Sequence, residues 1–449
     1  MVTSPSRHTR HKALPPAVVF VVGFAAVILV GTALLTLPIS SASGQWTPAL
    51  DALFTATSAV CVTGLVVVDT ATYWSGFGQV VILALFQVGG VGFMTSSTAL
   101  LLLRRRRATL RERLLLREAL GAGELGSVLT LARNVIVFTL IIEGVGAIIL
   151  TLRFLGEVEA PRALWWGVFH AVSAFNNAGF DLFGQNRGLT DYSRDPMVLL
   201  PLAALFVIGG LSYSAVEDVV KHRQFVALAL DTKIVLVVTT GLTVFGTLAL
   251  LFTERANAGT FGEMEPGTRL LNAFFHTVSR TAGFSAVDFS RMTEDGLFVL
   301  MGLMFIGGSA ASTAGGIKVQ TFGLLFFAIV AAVRGLDEVE AFRRRVPMPQ
   351  VLRALSIALL SIALVFAVSL VLNVAEQFVF HRVLFEAISA LATVGYSTGI
   401  TLEASPVGRA ILIFSMFIGR LGPLTLVLAL AARTRQTTHR WTEEAIKIG

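Results

Sequence analysis

The sequence predicts an all-α polytopic membrane protein: four parallel M1-P-M2 repeats, with eight spanning helices and four re-entrant pore half-helices around one central pore. Three observations predict it. Of 449 residues, 55% are hydrophobic and only 14% charged, against roughly 25% charged in an ordinary soluble domain. Four glycines, Gly64, Gly179, Gly283 and Gly395, recur at gaps of 115, 104 and 112 residues, each closing a short apolar stretch. Of the 35 Lys and Arg, 23 fall on the termini and on the links between these four units.

Continuous apolar runs near the ~20 residues that a spanning helix needs occur at 16–37, 234–252 and 354–372, among others. The segments before the glycines, 50–62, 164–176, 271–280 and 384–392, are much shorter. At 1.5 Å per residue they reach about half way across a ~30 Å core, so they must enter and turn back. The units divide as 1–14 (cytoplasmic N-terminus), 15–117, 118–225, 226–345 (with an interrupted second span), 346–434 and 435–449 (cytoplasmic C-terminus). The basic start followed by apolar residues looks like a signal peptide, but its 22-residue run exceeds the usual h-region, which favours a retained first helix.

Further marks recur in register. Phe54, Phe169, Phe275 and Phe385 precede the glycines by 10, 10, 8 and 10 residues, and Ser58, Ser173, Ser279 and Ser389 follow each Phe at one spacing. Unit three is two residues shorter. A second small-residue mark comes 24 to 30 residues after each glycine: Gly89-Gly90, Gly209-Gly210, Gly307-Gly308 and Gly419-Arg420. Such pairs are expected to let helices approach closely.

The crowded basic links carry Arg104-Arg105-Arg106-Arg107, Lys221 and Arg223, Arg343-Arg344-Arg345, and Arg433, Arg435 and Arg440. They belong in the cytoplasm, so the half-helices enter from the external side of a cell inner (plasma) membrane. With every link on one face, each unit crosses twice and the copies are parallel, unlike the inverted halves of broken-helix transporters. Nucleic-acid binding is not expected, since no aromatic interleaving or soluble binding fold accompanies the charge.

A monovalent cation entering a membrane must exchange its water shell for fixed oxygens, and converging backbone carbonyls are a dense source of them. Glycine permits that geometry by reaching positive φ, and each half-helix aims its partially negative C-terminus at the ion. The expected lining is Val62, Thr63 and Gly64; Asn177, Ala178 and Gly179; Thr281, Ala282 and Gly283; and Thr393, Val394 and Gly395. Thr393-Val394-Gly395-Tyr396 matches four of the five letters of the potassium-filter sequence. No ring of Asp or Glu suits a multivalent cation and no ring of Arg an anion, so potassium or another large monovalent ion fits best. Arg280 is expected to brace the third loop from behind.

The apolar run from 296 to about 332 is too long for one span and contains Gly307, Gly308, Ser309, Ala310, Ala311, Ser312, Thr313, Ala314, Gly315 and Gly316. That composition predicts a helix break under the filter, able to act as a gate. Lys318 does not make it a phosphate loop, because Ile317 intervenes and no Gly-Lys-Ser/Thr is present. Arg420, within an apolar run, needs carbonyl or carboxylate partners and is expected to reach segment 307–316. His170 and His276 are read as packing or capping residues rather than metal ligands, Cys61 as a buried hydrophobe, and Trp165 and Trp166 as interfacial anchors. A membrane-embedded enzyme would need convergent groups, whereas Glu143, Glu217 and Asp218 are scattered, so the chain is read as no enzyme.

With Thr281-Ala282-Gly283-Phe284, Ser312-Thr313-Ala314-Gly315-Gly316-Ile317-Lys318 and Gly419-Arg420-Leu421-Gly422-Pro423-Leu424-Thr425 in view, the chain resembles the Trk/Ktr/HKT superfamily of potassium transporters over nearly its whole length. A single span before the first loop makes it more similar to bacterial Ktr membrane subunits than to members with an extra N-terminal hairpin. The resemblance implies channel-like potassium uptake, with a sodium-coupled symporter on the same pore as the alternative. It also implies a homodimer on a cytosolic ring of RCK-type, KtrA-like regulatory subunits, with any nucleotide held by that partner and no cofactor in this chain. Family members with serine at the first filter position include sodium-preferring ones, so Gly64 implies potassium preference.

Overall fold

The computed structural model describes residues 16–105 and 124–422. The N-terminal basic cluster, Arg106 and Arg107, Pro423 to Thr425 of the last motif, and Arg433, Arg435 and Arg440 lie outside the described residues. Single helical turns aside, the chain runs α1 (Pro16–Thr36), α2 (Ala49–Val60), α3 (Gly76–Arg105), α4 (Glu124–Phe154), α5 (Ala160–Phe175), α6 (Pro196–Gly210) and α7 (Tyr213–His222). It continues through α8 (Leu230–Glu254), α9 (Pro266–Val278), α10 (Glu294–Phe305), α11 (Val319–Val333), β1 (Val339–Ala341), β2 (Arg344–Val346), α12 (Met348–Ala375), α13 (Phe380–Leu391) and α14 (Pro406–Leu421).

The short helices α2, α5, α9 and α13 overlap the four segments read as half-helices, each starting one to five residues earlier and ending one or two residues sooner. Pro161 and Pro266 sit at the first or second helical position of α5 and α9. Proline suits that position because its missing N–H would have no partner there and its φ is already helical. The helix that follows each of these four packs against the half-helix of the next unit: α3 on α5, α6 on α9, α10 on α13, and α14 back on α2. The order closes a circle, with the last quarter of the chain joined to the first. An ion pair from Arg409 Nη1 to Asp51 Oδ1, 2.6 Å, fastens that closure.

Among the described residues, four helical stretches are long and apolar enough to cross a membrane: Gly76–Thr95, Ala132–Phe154, Leu230–Glu254 and Met348–Ala375. A fifth appears if α6 and α7 count as one path bent by 97°. That is fewer than the expected eight: α10 and α11 are two pieces either side of a break, α6 and α14 have 15 and 16 residues, and the apolar part of α1 runs only over Val21–Thr36. The face of α12 bearing Leu352, Leu355, Leu359, Ile362 and Phe366 is 44–70% exposed, an apolar stripe that suits lipid.

Two features depart from the expected pattern of spans and basic links. The α6–α7 bend at Leu211 and Ser212 was not marked by a proline; Ser212 instead caps α7 by accepting from the Ala215 N–H. The basic link 343–345 is partly a hairpin, β1 pairing antiparallel with β2 around Phe342 and Arg343, whose φ of 50° and 63° match a two-residue primed turn. Neither residue is the usual Gly or Asn, so no turn signal stood in the sequence.

Candidate functional site

Each half-helix ends with a backbone reversal that only a few conformations allow. Gly64, Gly179, Gly283 and Gly395 all adopt positive φ, 88°, 74°, 72° and 102°. Two residues earlier, Val62, Asn177 and Thr393 are also left-handed, at 56°, 57° and 49°. For the β-branched Val62 and Thr393 this is a costly conformation, of order 1–3 kcal/mol, and it persists only where surroundings over-determine it. Unit three lacks the second reversal: Ser279–Thr281 forms a 3-10 turn instead, which accounts for its two missing residues.

The four glycines meet. A methyl added at Gly64 would lie 2.6 Å from the Ala178 carbonyl oxygen and 2.8 Å from the Gly179 Cα; one at Gly179 would lie 2.8 Å from the Ala282 oxygen. One at Gly283 would strike the Val394 oxygen and come 2.9 Å from the Gly395 Cα, and one at Gly395 would strike the Thr63 oxygen and come 3.1 Å from the Gly64 Cα. The contacts run in cyclic order and return to their start. Among the described residues, the carbonyl oxygens of Thr63, Ala178, Ala282 and Val394 accept no hydrogen bond, although buried carbonyls are nearly always paired. The buried Thr63 and Thr393 hydroxyls are likewise without partners.

Side chains from the half-helices hold this ring from behind. Ser58 and Ser389 accept from the N–H of Gly64 and Gly395, both at 3.1 Å. Ser173 and Ser279 instead donate to the carbonyls of Phe180 and Phe284, 2.8 Å each. Arg280 is 3% exposed and donates to the carbonyls of Ile306 and Thr277, so it faces the back of its loop. The phenylalanines of the repeat, Phe54, Phe169, Phe275 and Phe385, are fully buried.

Three of the four small-residue marks share a cause, while a methyl at the fourth, Gly307, would strike the Gly315 carbonyl of its own segment. A methyl at Gly89, Gly209 or Gly419 would collide with the carbonyl oxygen of Val60, Phe175 or Leu391, each the last residue of the half-helix in its own unit. Close packing was the expected reading, and the contact is with the C-terminal turn that aims at the ring.

Between α10 and α11 the helix is interrupted from Ile306 to Lys318. Its polar backbone is matched by the bend in unit two: Ser309 N–H donates to the Gly210 carbonyl at 2.9 Å and Thr313 N–H to that of Gly209 at 3.2 Å. Ending α6 at Gly210 therefore frees acceptors that the interruption requires. The Thr313 hydroxyl donates to the Gly209 carbonyl (2.8 Å) and approaches that of Phe175 (3.1 Å), while accepting from Asn177 Nδ2 at 2.9 Å. Asn177 Oδ1 in turn accepts from the Thr281 hydroxyl, 2.8 Å. Arg420, buried, donates from Nη1 to the Thr313 carbonyl (2.5 Å) and from Nη2 to that of Gly89 (2.9 Å), and its guanidinium lies 4.4 Å from the centre of the Phe93 ring. It thus reaches segment 307–316, as its need for carbonyl partners suggested.

Beyond the ring, a cavity of about 600 Å³ is lined by all four glycines and by Asp69, Asp181 and Asp288. Burial, with a contribution from the nearby Asp69 carboxylate, raises the Asp181 carboxyl to about 6 against the donated N–H groups of Phe183 and Gly184. Asp69 is held by the N–H groups of Thr72 (2.8 Å) and Asn186 (2.7 Å).

Glu386 escaped sequence reasoning, whereas the histidines were expected to pack or cap. His170 Nε2 accepts from the Leu182 N–H and His276 Nε2 from the Ala286 N–H, so both make a backbone contact as well as packing. Glu386 accepts from the hydroxyls of Ser397 and Thr401 and the N–H of Thr398. Their signal was a column of polar residues, Thr55, His170, His276 and Glu386, directly after the four phenylalanines. Trp165, read as an interfacial anchor, donates from Nε1 to Gln79 Oε1 of the first unit, 2.8 Å.

Residues 6–438 match the family model of TrkH, described as a cation transport protein. The chain is 39% identical over 436 residues to the Ktr system potassium uptake protein B of Bacillus subtilis (strain 168), covering 97% of both chains. It is 36% identical over 449 residues to the potassium/sodium uptake protein NtpJ of Enterococcus hirae, covering 98% of both. Its fold is similar to the crystal structure of the potassium transporter TrkH from Vibrio parahaemolyticus, with a TM-score of 0.74 over 95% of this chain and 87% of that one, at 18% identity.

Proposed function

This chain belongs to the TrkH family of membrane-embedded cation transport proteins, and from that premise we propose that it takes up potassium in a channel-like manner through the ring at Gly64, Gly179, Gly283 and Gly395. The observation that carries the reading is the closed cycle of four glycine turns bearing unpaired carbonyls at Thr63, Ala178, Ala282 and Val394. Oxygens so arranged suit a monovalent ion that has shed its water, which enters as substrate. Val62, Asn177, Thr281 and Thr393 complete the lining. The relatives named for potassium uptake support the choice of ion.

The circular packing of α3 on α5, α6 on α9, α10 on α13 and α14 on α2 supports four M1-P-M2 units around one pore, with the unit limits given by the sequence. Broken or incompletely described helices would supply the spans that length alone does not count. Segment 307–316, seated between the ends of α5 and α13 and held by Arg420, is the gate in this reading. The basic links support termini and a β1–β2 hairpin on the cytoplasmic side of the cell membrane, where a homodimer would rest on a nucleotide-binding regulatory ring that moves the gate. "Ktr system" in the name of a relative supports a partner subunit.

Rescue of uptake-deficient cells on limiting potassium tests the reading. Wild type restores growth and Gly64→Asp, present in equal amount in the membrane, does not; equal rescue by both would overturn it. The sodium-coupled alternative draws on the relative named for potassium and sodium uptake. Flux under separately imposed potassium and sodium gradients distinguishes the two, because only obligatory coupling lets a sodium gradient drive potassium uphill.

A further inference from the structure

The residue directly after each half-helix phenylalanine has a repeated task. His170 Nε2 accepts from the Leu182 N–H at 3.1 Å, 12 residues on; His276 Nε2 accepts from the Ala286 N–H at 3.0 Å, 10 residues on; Glu386 Oε1 accepts from the Thr398 N–H at 2.9 Å, 12 residues on. The shorter reach in unit three equals the two residues missing from its loop, so the bond is preserved across the contraction. The N–H groups belong to the strand that leaves the ring, two residues past Phe180, Phe284 and Tyr396.

Both histidines are held in one form by their partners. Nδ1 lies 2.7 Å from a carbonyl oxygen, that of Trp166 for His170 and Asn272 for His276, so Nδ1 carries the hydrogen. Nε2 faces an N–H and must be the acceptor. Each ring is therefore neutral and bridges its own helix to the exit strand. Glu386 adds two hydroxyl donors, Ser397 at 2.6 Å and Thr401 at 2.8 Å. Unit one differs: the Thr55 hydroxyl turns back to the Asp51 carbonyl at 2.9 Å.

We propose that His170, His276 and Glu386 are positioning residues for ion discrimination, holding three exit strands at a fixed distance from the pore axis while unit one goes unbraced by this position. The proposal rests on the reading of the glycine ring as the filter. A smaller cation such as sodium is coordinated well only if the carbonyls draw inward. Fastening three of the four exit strands to their half-helices opposes that movement, so loosening one should lower the preference for potassium more than it lowers the amount of folded protein.

The test measures potassium and sodium flux into proteoliposomes carrying the full chain, with protein recovery scored separately. His276→Leu should lower the potassium-to-sodium ratio about fivefold, as for the loss of one intramolecular hydrogen bond, while His276→Gln, whose amide oxygen can accept the same N–H, should restore it. His170→Leu, which removes the matching acceptor in unit two, reads the same effect if His276→Leu is poorly recovered. Thr55→Ala should leave the ratio unchanged. A wild-type ratio in both His276→Leu and His170→Leu, or a His276→Gln as impaired as His276→Leu, overturns the proposal. Gly283→Ser separates the two levels: if it alters the ratio and the brace variants do not, only the brace fails; if it too leaves the ratio unchanged, the filter reading fails with it.

Discussion

Arg420 and Thr313, 107 positions apart, are joined by a hydrogen bond from Nη1 to the Thr313 carbonyl oxygen at 2.5 Å. The same guanidinium holds the Gly89 carbonyl, so one buried cation ties the interrupted segment of unit three to the second helix of unit one. Arg420→Ala would leave the Thr313 carbonyl unpaired, at a cost of about 1–3 kcal/mol, whereas the Gly89 carbonyl lies within α3 and loses only a second donor. With the segment released, rubidium uptake into cells should rise at equal protein level and depend less on any regulatory partner. Arg420→Lys should behave more like alanine than like wild type, since an ammonium cannot span two carbonyls with a planar fork. Uptake that falls while protein remains in the membrane would count against the restraint.

Thr313 is the second tie. Its hydroxyl accepts from Asn177 Nδ2 and donates to the Gly209 carbonyl, linking the interrupted segment to the ring at unit two. Thr313→Val keeps the shape and removes the hydroxyl, leaving Asn177 Nδ2 with two 3.4 Å contacts to the carbonyls of Phe175 and Phe206. The expected loss is about 1–3 kcal/mol, seen as a lower melting temperature in detergent and as raised uptake. Thr313→Ser should retain both ties and match wild type.

The outer cavity should respond to acid. Asp181, lifted from an ordinary 3.8 to about 6, is ionised at pH 7 and protonated at pH 5. Because the folded value lies above the unfolded one, this group favours the fold as pH falls through that window and disfavours it as pH rises. For transport the sign is opposite: protonation removes a negative charge beside the ring. In water a unit charge within roughly 10 Å of a cation is worth on the order of 0.5 kcal/mol, or about twofold in local cation concentration. Uptake at limiting potassium should therefore drop about twofold between external pH 7 and 5, and Asp181→Asn should start low and lose that step. An unchanged pH profile in Asp181→Asn would remove Asp181 from the path.

The ring and the interruption were legible because each has a local chemical cause. A positive φ asks for glycine, and four such glycines in register stand out; a membrane segment dense in Gly, Ser and Ala announces a weak helix. The positive φ of Val62, Asn177 and Thr393 was not legible, since tertiary contacts rather than residue preference impose it. Nor was the bend after Gly210, because its cause lies about a hundred residues downstream in the N–H groups of Ser309 and Thr313 that need its carbonyls. His170, His276 and Glu386 were visible as residues but not as braces, for a side chain's acceptor role depends on which strand returns beside it.

Two glycines three residues apart on α3 separate close packing from mere tolerance. A methyl at Gly89 would strike the Val60 carbonyl oxygen, whereas one at Gly92 meets nothing within 4 Å. Overpacking of that kind costs about 1–3 kcal/mol, and here the atom in the way is backbone at the end of α2, which cannot rotate aside. Gly89→Ala should therefore push the first half-helix away from the ring, lowering both melting temperature and potassium uptake. Gly92→Ala gains helix propensity, up to about 1 kcal/mol, and should leave uptake intact with an equal or higher melting temperature. Thermal melts in detergent paired with rubidium uptake score the two side by side; if Gly89→Ala tracks Gly92→Ala in both, the half-helix end is not held where the glycine marks place it.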